Sequence, residues 1–293
     1  MRRLIVLLAL LASQQTLSLR AQEVSLPVKS GSVRFAAMGD FGTGQPPQYE
    51  MAQTMVQVHA KFPFTFVLLL GDNIYGGKSP LELQKKFEIP YKPLLEAGVL
   101  FYASLGNHDD TNERFYKYFN MGGQRFYSFK KGNAHFFALD TDYLDPEQLT
   151  WLEKELAAAA KTDDWKICYF HHPLYSSGAF HGPSLELRKV LEPMFVKYGV
   201  NVVLSGHDHV YERIKPQKGI YYFLEGASGE LRVGNLKKTD ITVAGFDKDR
   251  SFLTLEISGD ELFFQTISRT GATVDSGTIQ RAGPPGPTIG PAK

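Results

Sequence analysis

A single cysteine, Cys168, excludes any intramolecular disulfide and any cysteine-rich zinc site. It sits in the apolar run 165–170, where a thiol serves as a small core residue. Neither sign of charge is in excess. Thirty-two basic and 31 acidic residues leave a net charge of +1, which speaks against a nucleic-acid surface. Lys130-Lys131 and Lys237-Lys238 are too short to make a basic patch. There is no Gly-rich phosphate loop, and Leu204-Ser205-Gly206 lacks the second glycine of a nucleophilic serine elbow. No internal repeat and no low-complexity tract interrupts the middle of the chain. With 293 residues and 43% apolar content, it has enough material for a large core.

The ends differ from the middle. Arg2 and Arg3 precede the apolar run 4–12, a pattern that predicts an export signal over residues 1–21. The run is well short of the roughly 20 residues that span a bilayer, so no stable span is expected once the signal is removed. Removal would take away Arg2, Arg3 and Arg20 and no acid, moving the net charge from +1 to −2. Residues 282–293 are rich in Pro and Gly and read as a disordered tail. The expectation is one catalytic domain over 22–281, secreted or periplasmic.

Between these ends, strands alternate with helices. Buried strands are predicted at 33–38, 65–70, 100–105, 167–170 and 200–204. Helices are predicted at 47–61, 80–87, 146–160 and 184–197, with a proline near each start fitting the first-turn preference. Further strands read at 126–130, 135–140, 220–225, 251–258 and 261–269, with a tight turn at Ser258-Gly259-Asp260. This is a mixed α/β pattern, with two packed mixed sheets flanked by helices. His59 and His135 read as packing or surface groups, and the Phe62/Phe64/Phe66 alternation as core.

Chemistry concentrates in five short segments. They are Gly39-Asp40-Phe41-Gly42, Gly71-Asp72-Asn73-Ile74-Tyr75, Gly106-Asn107-His108-Asp109, Phe170-His171-His172-Pro173 and Gly206-His207-Asp208-His209. Four of them follow an apolar run directly, so their donors fall at the carboxyl ends of strands, where α/β sheets bind ligands. Carboxylates, a phenol, an amide and imidazoles delivered there suit two metal ions about 3.5–4 Å apart. One carboxylate can bridge two cations, and Asp72 is the candidate. Taken alone, a Gly-Asp pair is a turn and a His-x-His is ambiguous; the combination is specific.

These segments resemble the metallophosphoesterase signature, and Gly71-Asp72-x-x-Tyr75 is similar to that of purple acid phosphatases, over residues 33 to about 213. Gly106-Asn107-His108-Asp109 is similar to the small, tartrate-resistant type, whereas His209-Val210-Tyr211-Glu212-Arg213 resembles the larger plant type. The resemblance implies the four-layer metallophosphoesterase sandwich. It implies that Asp40, Asp72, Tyr75 and His209 hold a ferric ion. Asp72, Asn107, His171 and His207 would hold a divalent iron, zinc or manganese. His171 is preferred over His172 because its place before Pro173-Leu174-Tyr175 matches the family. His108 and His181 would orient phosphate and protonate the leaving alcohol.

The implied activity is acid hydrolysis of small phosphate monoesters by attack of a metal-held hydroxide, releasing inorganic phosphate, with no nucleic-acid partner. A phenol ordinarily titrates near 10, so Tyr75 would ligate in acid only to a strong Lewis acid such as ferric iron. Competing readings are a dinuclear phosphodiesterase for nucleotides or lipid head groups, and a catalytically silent, metal-holding cell-surface protein. Iron-driven peroxidation would be a side activity.

Overall fold

The computed structural model describes residues 24–237 and 239–281. The predicted export signal and the Pro/Gly-rich tail lie outside them. Strands β1 (Val33–Met38), β2 (Phe66–Leu70) and β3 (Leu100–Ser104) alternate with helices α1 (Pro46–His59), α2 (Pro80–Leu83) and α3 (Lys92–Glu96). A hairpin of β4 (Tyr127–Lys131) and β5 (Ala134–Ala138) follows, then α4 (Pro146–Ala159), β6 (Trp165–Phe170), α5 (Leu185–Tyr198) and β7 (Val202–Ser205). The chain closes with β8 (Tyr211–Gln217), β9 (Ile220–Glu225), β10 (Thr242–Phe246), β11 (Ser251–Ser258), β12 (Glu261–Ser268) and β13 (Thr273–Gln280).

These strands make two mixed sheets, of order β13-β12-β11-β1-β2-β3 and β10-β8-β9-β7-β6-β5-β4. The two-residue alternation of β1 shows how they stack. Phe35 and Ala37 join Phe66, Phe136, Trp165, Tyr169 and Leu253 in the core between the sheets. Ala36 and Met38 face the opposite way, into a cluster with Met51 and Met55 of α1 and Leu94 of α3. A third cluster packs Leu152 and Leu156 of α4 and Leu191 and Phe195 of α5 against the second sheet. Three apolar layers between four layers of structure are the expected sandwich. No helix among the described residues is long and apolar enough to cross a membrane.

The structure corrects some of the expected elements. The helix predicted at 80–87 is one turn of α2 running into a π-helical turn, Gln84–Glu88. That wide turn buries Lys86, whose ammonium donates to Tyr75 O at 2.6 Å and pairs with Glu82 at 2.5 Å. In α5 no proline starts the helix: Pro183 precedes the cap residue Ser184, and Pro193 lies inside. The turn after β11 is as tight as expected, with Ser258 opposite Glu261 and Gly259 at φ +59°. His59 and His135 pack edgewise or tilted on Phe64 and Phe137, and Phe62, Phe64 and Phe66 are all core.

Candidate metal centre

Four parallel strands aim their carboxyl ends at one place. Gly39 leads from β1 into Asp40, Gly71 from β2 into Asp72, and Gly206 follows β7 into His207, while β6 runs straight into His171. Asp40, Asp72 and His207 hold φ at +55°, +50° and +74°, the left-handed region that Asp and His enter more readily than most residues. Strain of this kind is kept where surrounding structure imposes it, commonly at functional sites. Gly71 and Gly106 let the backbone approach the donor side chains themselves. A Cβ on Gly71 would lie 2.6 Å from His171 Nδ1, and one on Gly106 would lie 2.4 Å from Asp72 Oδ1.

The side chains gather in two groups. In the first, Tyr75 Oη lies 3.1 Å from Asp40 Oδ1 and 3.3 Å from His209 Nε2, and His209 Nε2 lies 3.3 Å from Asp40 Oδ1. In the second, His171 Nε2 lies 3.1 Å from Asn107 Oδ1, 3.1 Å from His207 Nδ1 and 3.4 Å from Asp72 Oδ1. Asp72 also reaches the Tyr75 hydroxyl, so it touches both groups. All seven donors singled out in the sequence are therefore brought together. His171 is fully buried, and its Nδ1 faces Leu70 O at 3.0 Å. That contact puts the N–H on Nδ1 and leaves the Nε2 lone pair facing the second group. His172 stays close as well, with its ring 4.5 Å from that of His207, but its Nδ1 faces Thr141 Oγ1 at 3.1 Å.

His108 and His181 flank the donors and are exposed. The His108 N–H donates to Asp72 Oδ1 at 2.8 Å, and its ring lies 4.9 Å from that of Tyr75. The ring of His181 lies 4.0 Å from that of His207 and 6.2 Å from that of His209.

Electrostatics test whether these groups fit cations. Burial lowers the basicity of His207, and the neighbouring His171, His172 and His181 lower it further, to about 2. Burial disfavours charge on His171 too, yet Asp40 and Asp72 push it up to about 9. The Asp72 carboxyl is held below its ordinary range: burial opposes this, but His171 and the His108 N–H outweigh it. Tyr75 is driven far above an ordinary phenol by burial and by Asp40, Asp72 and Glu230. Burial and crowding keep His207 unprotonated and oppose ionisation of Tyr75, and Asp40 and Asp72 draw positive charge to His171; positive ions among these donors would meet the same field. Asp40, Asp72 and His171 each offer a ligating atom within 4.8 Å of the others, as do His171, His172 and His207. The donor set fits a dinuclear metal centre of oxygen and nitrogen ligands.

Sequence reasoning passed over the residues that brace this set. Asp208, hidden between His207 and His209, is buried. It accepts from Ser176 Oγ at 2.5 Å, Gly182 N at 3.1 Å and His181 N at 3.3 Å, and so holds the loop that carries His181. A charged residue three positions beyond a buried strand was the available signal. Asp109 accepts from Asn73 Nδ2, Ile74 N and Gly106 N, tying the Asp72 and Asn107 loops together.

Lys78 donates to His108 O and lies 3.4 Å from Glu113, which closes a capping box with Asp110. Burial and Asp109 push the Glu113 carboxyl up to about 9, despite Lys78. An acid with a raised folded pKa stabilises fully below its unfolded value, here 4.5, and that stability is lost as pH rises toward 9. Glu113→Gln keeps a capping amide, and should be more stable than wild type by about 1–2 kcal/mol at pH 8, with no gain near pH 4. Urea denaturation at both pH values checks this; an equal effect at the two would contradict it.

Comparison with known proteins agrees with this geometry. The family model for the calcineurin-like phosphoesterase matches residues 33–211. A tartrate-resistant acid phosphatase type 5 from Oryctolagus cuniculus is 30% identical over 246 residues, 67% of this chain and 73% of the relative. Among solved structures, the purple acid phosphatase PPD1 from yellow lupin superposes with a TM-score of 0.70 at 22% identity. That match covers 87% of this chain and 55% of the lupin chain. GAP50, described as the anchor in the inner membrane complex of Plasmodium, gives a TM-score of 0.77 at 21% identity, covering 86% of this chain and 90% of its own. At these identities the two structures show the shared fold.

Proposed function

The chain belongs to the calcineurin-like phosphoesterase family, and on that premise we propose that it is an exported acid phosphatase acting on phosphate monoesters at a ferric–divalent metal pair. The observation that carries the reading is the convergence of Asp40, Tyr75 and His209 on one side of Asp72, and of Asn107, His171 and His207 on the other. In this assignment Asp72 would serve both ions. The first group would hold ferric iron and the second would hold iron, zinc or manganese in the divalent state. When bound, the pair supplies Lewis acidity and neutralises charge on the phosphoryl oxygens.

The chain's own residues do the rest. His108 orients the phosphate. His181 gives a proton to the oxygen of the departing alcohol, and imidazole suits mildly acidic conditions. Asp208 holds the loop that places His181. The similarity to a tartrate-resistant acid phosphatase supports the monoester reading. Export rests on the N-terminal pattern Arg2-Arg3 followed by an apolar run.

Tyr75 tests the identity of the first metal. The iron-loaded protein should show a visible phenolate-to-iron band that Tyr75→Phe removes while retaining its iron. A band that persists in the variant would contradict the phenolate assignment.

A further inference from the structure

Arg232 lies next to the donor cluster without a carboxylate partner, unlike several arginines elsewhere. Arg125 pairs with Asp140 and Asp145, Arg213 with Asp275, Arg269 with Asp249 and Glu50, and Arg281 with Asp260. Arg232 has no ion pair among the described residues, and its Nη1 is shielded from solvent without a hydrogen-bond partner. A shielded guanidinium nitrogen left unsatisfied calls for an explanation. Glu230, two residues earlier, does not pair with it; that charge acts on Tyr75 instead.

Its position supplies the explanation. The Arg232 N–H donates to His209 O at 3.1 Å, which fixes the residue beside the donor cluster. The guanidinium lies 3.4 Å over the ring of Phe180. Phe180 in turn lies 4.7 Å from the ring of His181, whose ring packs on His207. Arg232 is thus two rings removed from His207, on the side where His181 stands. Burial lowers the basicity of His181, and the Arg232 charge adds to it. Phe180 is 66% exposed, so its ring is open to a ligand beside His181.

We propose that Phe180 and Arg232 form a leaving-group subsite that selects phosphate esters whose alcohol portion carries a second anionic group. This rests on the phosphatase reading above. The reacting phosphate sits among the metal donors, so a cation beyond His181 meets the alcohol portion. A guanidinium stacked on a ring is preorganised to take a carboxylate or a phosphate with two parallel hydrogen bonds. The exposed face of Phe180 supplies an apolar wall for the carbon chain.

The test uses the metal-loaded full chain as wild type, Arg232→Ala and Arg232→Lys. Substrates are paired by the second anion: 3-phosphoglycerate against glycerol 3-phosphate for a carboxylate, and fructose 1,6-bisphosphate against fructose 6-phosphate for a phosphate. Wild type should favour the doubly anionic member of at least one pair by about tenfold or more in kcat/KM, and the pair that responds identifies the anion. Arg232→Ala should erase that preference through KM, and Arg232→Lys should restore part of it. A wild type without preference, or an equal loss on both members of each pair in Arg232→Ala, would overturn the subsite. The phosphatase reading would survive either result, whereas no turnover of any ester would overturn both.

Discussion

Asp72→Asn should lower kcat by roughly a thousandfold, equivalent to about 4 kcal/mol of transition-state stabilisation lost with the metal pair. Metal analysis should show the chain retaining less than its full complement. The substitution is close to isosteric and isolates charge. Asparagine tolerates the φ of +50° found here, and its amide oxygen can still accept the His108 N–H that now meets Asp72 Oδ1 at 2.8 Å. What it cannot do is serve two cations with a negative charge. A variant that keeps both metal content and turnover would remove Asp72 from its bridging role.

His171→Ala and His172→Ala should differ by about tenfold or more, although the residues are adjacent and both rings lie near His207. The ring of His171 is locked by Leu70 O and presents Nε2 to Asn107, His207 and Asp72. His172 spends Nδ1 on Thr141. Loss of His171 should therefore cost about 100-fold in kcat together with the second metal, and loss of His172 less than about tenfold with both metals kept. Metal content and steady-state kinetics of the two variants, with circular dichroism to verify folding, check the pair. The reverse order would exchange the two histidines in the assignment.

Much of this was legible because the central strands are buried on both faces. Continuous runs such as Phe66–Leu70 announce a strand whatever its neighbours do, and a polar residue directly after one stands out. Asp40, Asp72 and His171 were visible for that reason. β8, β10 and β13 were not. β10 and β13 end their sheets, β13 has few apolar residues, and β8 carries three charged side chains, with Pro216 in a stretch where its pairing with β9 shifts register. β8 is stabilised by pairs a linear pattern does not reveal, such as Arg213 with Asp275 at 2.7 Å. The five-residue helix α3 is too short to show a period.

The same limit applies to the site. Donors at strand ends carry a local signal, but the groups that brace them act across long sequence separations. Asp208 meets Ser176 and His181 only once α5 and β7 have brought the chain back. Lys86 supports the Tyr75 loop through a π-helical turn that the apolar pattern of 80–87 reads as ordinary helix. Arg232 gains its meaning only from Phe180 beneath it.

The central claim is that this centre hydrolyses phosphate monoesters, and the most direct measurement is the ratio of kcat/KM for p-nitrophenyl phosphate to that for bis(p-nitrophenyl) phosphate near pH 5. A ratio of about 100 or more in favour of the monoester is the predicted result. A ratio below one would leave the metal centre in place and contradict the monoesterase, making the chain a phosphodiesterase.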